Sequence, residues 1–395
     1  MVGKSTFLTV IMLFPLNFIS AMAMDMYIPS IPDLLVLWPD KALWVQGSLG
    51  IFILAVGLGQ IVVGPLSDAL GRLKIIYSGF FLYISASVLT ALSPSAEWLV
   101  GARFIQGMGA CCCMVAANAI VRDIYEGERG AQVMSYISSA VALAPVFAPF
   151  IGSYLSWQMT FWVLAGCGVL LCLQMLLGLQ ETCVRRQVNL LNFKSCLAVY
   201  RQLIFHRQFF LHSLVSLCSF SILFLFFSFS PYLFIDQLGL AKTEFGYWFG
   251  LNALVLMVMS FIGGFGVKYV SIRFWMGLGV VCMLVGGFTM MIWLYCSTSL
   301  SLTAIMLPMF MISAGIAWTV SPAVVGAMMP FGHIAGSAAA LLGCIRFAGS
   351  ALLVTLMMSL GPISAVYFAN CICGLALIAL FGCIFIIKSR QTVVY

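Results

Sequence analysis

Polar residues in this chain fall mainly as punctuation between long apolar runs. Twelve such runs occur, each roughly 20 residues long, the length a helix needs to cross a bilayer. They predict spans at Phe7–Tyr27, Ala42–Val63, Ile75–Leu92, Trp98–Val121, Val133–Leu155 and Met159–Leu179, then at Phe209–Leu233, Phe245–Val267, Phe274–Cys296, Leu302–Val325, Ile334–Leu360 and Ile363–Ile387. Backbone groups in hydrocarbon must bond within their own segment, so these runs are helices and not barrel strands. The longest polar stretch, Glu181–Arg207, separates six spans from six. It carries Arg185, Arg186, Lys194, Arg201 and Arg207 and reads as a linker with a short amphipathic helix on the membrane surface. The expected fold is therefore an all-α membrane protein with twelve transmembrane helices in two pseudo-symmetric six-helix bundles: residues 1–180, a cytoplasmic linker at 181–207, and residues 208–395. One faint repeat supports duplication. Gly64, Arg72 and Lys74 after span 2 have partial counterparts in Gly264, Lys268 and Arg273 after span 8.

Composition closes off the soluble alternatives. Hydrophobic residues make up 63% of the chain and charged residues only 7%, with mean hydropathy +1.14, too apolar for any water-solvated domain. The net charge of +7 is spread singly or in pairs between spans, which predicts no nucleic-acid partner. It does set an orientation. With both termini cytoplasmic, that side holds Lys4, Arg72, Lys74, Arg122, Arg129, the five linker residues, Lys268, Arg273, Lys388 and Arg390, while the outside keeps only Lys41 and Lys242. The first apolar segment has no convincing small-residue cleavage site and reads as the first helix. The expected location is the bacterial cytoplasmic (inner) membrane. The 14 cysteines, including the run Cys111, Cys112 and Cys113, form no CxxC or Cys/His cluster and read as small packing residues, with no metal site. No phosphate loop is present, and His206, His212 and His333 lie in or near cytoplasmic loops without partners, so no enzyme is predicted.

The chemistry is expected in the few polar residues inside spans. Asp25 lies in span 1, where a carboxylate is costly and its hold on a proton changes with hydration. It is a candidate proton carrier or an interfacial residue near Pro29, Pro32 and Asp33. Arg103, about seven residues into span 4, lies at a similar depth, roughly 10 Å from the outer surface, so the two can meet across a cavity. A purely structural ion pair between spans 1 and 4 is the alternative. Gln106, Gly107 and Gly109 follow, an amide that can bond between helices and two residues that let helices approach. The segment Gly64–Lys74 reads as a tight loop in which Asp68 sits near a helix N-terminus and pairs with Arg72, or as an ordinary solvated turn. In span 5, Pro145 and Pro149 fall four apart on one face and kink the helix, with Gly152 and Ser153 following. Span 7 carries Phe220, Phe224, Phe227, Ser228, Ser230 and Tyr232, and span 8 carries Asn252. These suit amphipathic ligands or simply face lipid and neighbouring helices.

These residues resemble the major facilitator superfamily and, within it, the bicyclomycin and chloramphenicol resistance (Bcr/CflA) family of drug/proton antiporters. Gly64, Asp68, Gly71, Arg72 and Lys74 match the superfamily loop signature; Arg103, Gln106 and Gly107 match its span 4 motif; Ala144, Pro145, Ala148, Pro149 and Gly152 match the antiporter motif. The resemblance covers essentially the whole chain. It implies alternating access by rocking of two halves, Asp25 as a proton site, Arg103 coupling protonation to shape, and a cytoplasmic charge cluster of Asp68, Arg72 and Asp123 stabilising the outward-open form. Gating is expected from Gly64, Asp68, Gly71, Arg72, Asp123, Pro145, Pro149 and Gly152. Substrate binding is expected from Asn17, Tyr27, Gln106, Phe224, Ser228, Tyr232, Asn252 and Arg346. Three departures stand out: Ser153 replaces a glycine, Asn17 stands where some relatives carry a second acid, and Arg346 replaces an uncharged polar residue in span 11.

Arg346 needs an anion or carboxylate partner, or else snorkels to headgroups near the cytoplasmic end of its span. The expected function is a proton-coupled antiporter that exports small amphipathic compounds or drugs. A dedicated transporter of an anionic metabolite, such as a carboxylate siderophore, is the alternative that Arg346 favours, and a non-transporting sensor or scaffold has no need of buried charge. The expected partners are the small-molecule substrate, protons and membrane lipid. No cofactor is expected, the proton gradient supplying the energy, and the protein is expected to act as a monomer.

Overall fold

A computed structural model describes residues 6–125, 127–183, 193–297 and 299–388. The described chain is helical, and twelve of its segments are long and apolar enough to cross a membrane. Fifteen helices make up these segments and the linker: α1 (Thr6–Asp25), α2 (Ile31–Leu37), α3 (Ala42–Leu70), α4 (Arg72–Ala91), α5 (Ala96–Ile124), α6 (Gly127–Val141), α7 (Ala144–Ser153), α8 (Trp157–Gly178), α9 (Phe193–Phe205), α10 (Arg207–Pro231), α11 (Lys242–Gly266), α12 (Ile272–Cys296), α13 (Leu302–Met328), α14 (Ala335–Leu360) and α15 (Ala365–Lys388). The chain divides into two compact units, Met1–Leu197 with Ala241–Gly250, and Ala198–Leu240 with Leu251–Tyr395.

Two spans are broken for identifiable reasons. Span 1 leaves the α-helix after Asp25, passes through a short 3-10 turn at Ile28–Ser30 and resumes as α2. Pro29 and Pro32 each lack the N–H that a continuous helix would use. Span 5 divides at Ala142 and Leu143, with Pro145 in the first turn of α7, where a missing N–H costs least. The predicted linker helix is present as α9, whereas Arg185 and Arg186 lie outside the described residues, as do Lys4 and Arg390.

In the first unit α5 is the central element, packed against α1, α3 and α4, while α8 covers α4 and α1. Small residues bring these helices together: a Cβ on Gly109 would lie 2.6 Å from the Tyr83 backbone N, and one on Gly79 would lie 2.7 Å from Cys112 Cβ. Cys111, Cys112 and Cys113 are buried in this seam. In the second unit α12 packs on α13 and α15, and α10 on α13, α14 and α15. A Cβ on Gly279 would lie 2.5 Å from the Gly315 carbonyl oxygen. Gly79 and Gly279 thus hold equivalent seams two hundred residues apart, between spans 3 and 4 and between spans 9 and 10. Large apolar side chains such as Leu177, Phe81, Phe381 and Phe265 point outward, as lipid-facing positions must.

The segment Gly64–Lys74 is not the loop its Gly-Pro pair suggests. Helix α3 runs through Gly64 and Pro65 to Leu70, and α4 starts at Arg72, so the reversal occupies Gly71 alone. Gly71 has φ 102°, ψ 155°, a conformation that costs a side-chain-bearing residue dearly. Gly64 has no heavy atom within 4 Å of where a Cβ would be, so no close contact requires glycine there.

Candidate functional site

Span 1 ends its first helix on Asp25, the candidate acid of the sequence reading. Asp25 is fully buried, and neither carboxylate oxygen has a hydrogen-bond partner. It does not sit at an exposed interface. The side chain is placed by the break after α1, where Met26 N still reaches Met22 O at 3.0 Å before the proline-rich turn begins.

Arg103, the eighth residue of α5, is also fully buried. The expected Asp25–Arg103 pair is not formed. Nη1 of Arg103 donates instead to the Ala23 carbonyl at 3.1 Å and to Gln106 Oε1 at 2.6 Å, while Nε and Nη2 have no partner. Three aromatic rings enclose the guanidinium, with centroids at 4.3 Å for Phe52, 4.9 Å for Tyr27 and 5.5 Å for Phe161. Equal depth along two helices says nothing about azimuth, and the rings set the direction of this side chain. Cation–π attraction offsets part of the cost of burying the charge, by up to about 2 kcal/mol for a desolvated ring contact.

A polar chain continues from Arg103. Gln106 Nε2 donates to Ser87 Oγ at 2.8 Å, and Ser87 Oγ donates to the Tyr83 carbonyl at 2.7 Å. Tyr27 is buried, shares a 2.7 Å hydrogen bond with Ser48 and packs on Phe161. Asn17 is half-buried, and its Nδ2 has no partner. Phe52, Phe161, Tyr83 and Ser87 were not marked by the sequence, because an aromatic or hydroxyl facing an arginine looks the same in sequence as one facing lipid.

The antiporter motif bears on this site through one contact. A Cβ on Gly152 would overlap the Met26 carbonyl oxygen, so α7 lies against the backbone of the residue after Asp25. Glycine is required there by close approach. Pro149 is buried within α7, and Pro145 opens that helix.

At the α3–α4 reversal the charges assemble as expected, with one addition. Arg72 Nη1 bonds Asp68 at 2.5 Å, and Nε reaches Asp123 at 2.9 Å. Asp68 belongs to the last turn of α3 and not to a helix N-terminus. The N-terminus of α4 is capped by Glu181, whose oxygens accept from the backbone N–H groups of Arg72 at 3.0 Å and Leu73 at 3.2 Å. Glu181 also accepts from Thr182 and Cys183, and a Cβ on Gly71 would lie 2.6 Å from its Oε2. The available signal was position, since Glu181 is the first acid after span 6, ahead of a basic linker.

Partial burial opposes ionisation of Glu181, but the backbone donors of Cys183, Arg72, Leu73 and Thr182 outweigh it and hold the carboxyl below its usual value of 4.5. Because the folded-state value is depressed, the carboxylate's stabilising contribution is present above that usual value and is lost as pH falls through the folded one. Hydrogen-exchange protection of the Arg72 and Leu73 amides, corrected for intrinsic rates, is expected to be flat from neutral pH to about 5 and to fall in more acidic buffer. Glu181→Gln is expected to lower it by about fivefold at neutral pH. Equal protection in both proteins across that range would contradict the cap.

The second unit holds the remaining candidates. Asn252 is buried, and its Oδ1 accepts from Ser313 Oγ at 2.8 Å, tying α11 to α13. Phe224 and Ser228 are buried in α10, and Tyr232 begins the π-helical turn that ends span 7. Arg346 is the twelfth of the 26 residues of α14, about 17 Å from its start, which is mid-helix and not near an end. It is half-buried, with Phe347 and Phe220 centroids 4.8 and 5.6 Å from its guanidinium carbon; Nε has no partner, and no ion pair forms to it among the described residues. The histidines depart from expectation: His212 lies within α10 and its Nδ1 donates to the Gln208 carbonyl at 2.8 Å, while His206 stacks edge-on against Phe331.

Twelve helices long and apolar enough to cross a membrane, with Asp25 and Arg103 buried among those of the first unit, define a multi-pass membrane protein. The chain belongs to the Major Facilitator Superfamily, whose family model matches residues 13–354; it is a transporter and not an enzyme. Its relatives include a chloramphenicol resistance protein of Pseudomonas aeruginosa, 29% identical over 90% of this chain and 84% of that protein. Others are the uncharacterized MFS-type transporter YdgK of Bacillus subtilis, 30% identical over 87% and 86%, and the multidrug resistance protein MdtL of Escherichia fergusonii, 28% identical over 85% of each chain. The fold is shared with a D-xylose-proton symporter, with a TM-score of 0.77 at 13% identity over 97% of this chain and 98% of that one. It is also shared with a peptide transporter crystallised with sulfate, with a TM-score of 0.76 at 13% identity over 96% and 93%.

Proposed function

We propose that this protein is a proton-coupled antiporter that exports small amphipathic compounds, drugs among them, across the bacterial inner membrane by alternating access, with both termini cytoplasmic. The observation that carries this reading is Asp25, an acid sealed inside a membrane span with no donor to either oxygen. An ionised carboxylate left so would cost several kcal/mol. A carboxyl so placed can exchange a proton only where water or a cationic partner reaches it. Arg103, with two unpaired nitrogen positions and its carbonyl contact two residues before Asp25, is the group positioned to answer that change. In this cycle, outside protons load Asp25, cargo leaves outward, and proton release inward resets the site; the difference in proton binding between the two states supplies the work. Relatives named for chloramphenicol and multidrug resistance support the choice of cargo. Aromatic Phe224 and hydroxyl-bearing Ser228 and Tyr232 offer the loosely specified surface such cargo needs. The test is transport by reconstituted protein under an imposed pH gradient, comparing lipophilic antibiotics with polycarboxylates. Gradient-driven movement of neither class would overturn the reading.

A second reading, a dedicated carrier of an anionic metabolite such as a carboxylate siderophore, is favoured by Arg346. A mid-helix arginine without an acid suits a carboxylate on the cargo. Arg346→Gln is expected to weaken transport of anionic substrates about tenfold while changing neutral and cationic ones less than about twofold. A uniform effect on all three classes would remove the anion site.

A further inference from the structure

A serine inside a membrane helix ordinarily satisfies its hydroxyl on the carbonyl four residues back or on a neighbouring helix. On α10, Ser219 does the first, donating to the Val215 carbonyl at 2.8 Å, and Ser221 does the second, donating to Ser350 of α14 at 2.9 Å. Ser213 and Ser216 do neither. Both are buried, and neither oxygen has a partner among the described residues.

Helix register sets these two hydroxyls beside Arg346. Helices α10 and α14 run parallel: Phe209, near the start of α10, meets Phe331 just before α14, and further along Leu217 meets Gly349 and Ser221 meets Ser350. One turn back from the Leu217–Gly349 contact stand Ser213 on one helix and Arg346 on the other. Ser213, Ser216 and Phe220 recur at i, i+3 and i+7, which is one face of α10. That face lies between the side on which His212 meets Gly326 of α13 and the side on which Leu217 meets Gly349 of α14. Helical side chains lean toward the N-terminus, so the Arg346 guanidinium and the Phe220 ring both lean to the level of the two serines. The ring centroid lies 5.6 Å from the guanidinium carbon.

These donors do not satisfy one another, since Arg346 Nε and both hydroxyls are without any partner among the described residues. All of them donate, and what they lack in common is an acceptor. A carboxylate supplies it: its two oxygens take the planar fork of the guanidinium and keep lone pairs for the hydroxyls, which a spherical halide cannot match. The wall next to the charge is aromatic. Phe220 and Phe347 are half-buried and stand edge-on to each other, with centroids 4.9 Å apart and planes at 70°. A third ring completes such a cluster better than a saturated group does.

We propose that Ser213 and Ser216 complete, with Arg346, a binding site for the carboxylate of an aromatic acid, whose ring lies against Phe220 and Phe347. The site rests on the reading of Arg346 as an anion contact for cargo, and it adds two hydroxyl ligands and a preference for an aromatic body.

The experiment is equilibrium dialysis of radiolabelled benzoate against the full chain in detergent near neutral pH. Unlabelled benzoate, benzamide, cyclohexanecarboxylate and chloride serve as competitors at matched ionic strength. Saturable binding is expected, with benzamide at least about tenfold weaker than benzoate, cyclohexanecarboxylate at least about threefold weaker and chloride without effect. Combining Ser213→Ala with Ser216→Ala is expected to weaken benzoate about tenfold. The same pair should leave the thermal midpoint unchanged or raised, because these hydroxyls hold no bond in the fold. Absence of saturable benzoate binding, equal affinity for benzamide or cyclohexanecarboxylate, or undiminished binding in the alanine pair would overturn the site. Selective loss of anion transport in Arg346→Gln, with benzoate binding undiminished in the alanine pair, would keep the anion carrier and remove this site. An Arg346→Gln protein that transports anionic, neutral and cationic substrates with equal change removes both.

Discussion

Asp25→Asn is expected to reduce pH-gradient-driven transport by at least about 100-fold, to background, while the protein still folds and still exchanges cargo down its own gradient. Asparagine matches the carboxyl in shape but cannot carry a proton between states. Because neither oxygen of Asp25 is hydrogen-bonded, the substitution breaks no contact, and a thermal midpoint within about 2 °C of the parent is expected. Counterflow measured without a pH gradient separates the two functions. Retained counterflow with lost gradient-driven uptake assigns Asp25 to coupling, and retained gradient-driven uptake removes it from the mechanism.

The second large effect concerns Arg103, and here stability and transport should part company. A purely structural ion pair would make Arg103→Met severely destabilising, because an acid would be left buried and alone. No such acid pairs with Arg103 among the described residues. The substitution removes a buried charge that costs several kcal/mol to hold. It also takes the donor from Gln106 Oε1, a loss of about 1–3 kcal/mol, while methionine still packs against Phe52, Tyr27 and Phe161. The expected result is transport lowered by at least about 100-fold with an unchanged or raised thermal midpoint, the pattern of a charge kept for function at the expense of stability. A midpoint lowered by more than about 5 °C would instead mark Arg103 as a structural pin.

The sequence made the architecture legible because hydrocarbon imposes the simplest rule in protein structure: an apolar run of sufficient length must be a helix. All twelve spans follow from it, and their observed ends differ from the expected ones mostly by a turn or less. Where the rule is silent, the reading failed. Gly64 and Pro65 look like a loop, but membrane helices tolerate both, and α3 runs on until Gly71 turns the chain. The broken fifth span was foreshadowed by Pro145 and Pro149, which mark a weakened helix without saying that the break falls at Ala142 and Leu143.

The buried charges of the candidate site were legible in the sequence, and their wiring was not. Asp25 and Arg103 declare themselves as charges within spans. That they do not pair depends on the rotation of α1 and α5 about their axes, which depth along a helix does not specify. The rings of Phe52 and Phe161, which decide where Arg103 points, are two among 32 phenylalanines. Glu181 was hidden differently: it lies 109 positions from the amide it caps, and only the folded chain joins them.

The most direct test of the coupling is to count protons. Purified protein in weakly buffered detergent solution near neutral pH is mixed with a cargo identified by the transport screen, and the pH change is recorded with a dye. The parent is expected to release about one proton for each cargo molecule bound, and Asp25→Asn none while still binding it. Equal release from both proteins, or none from the parent at saturating cargo, would contradict the assignment of the coupled proton to Asp25.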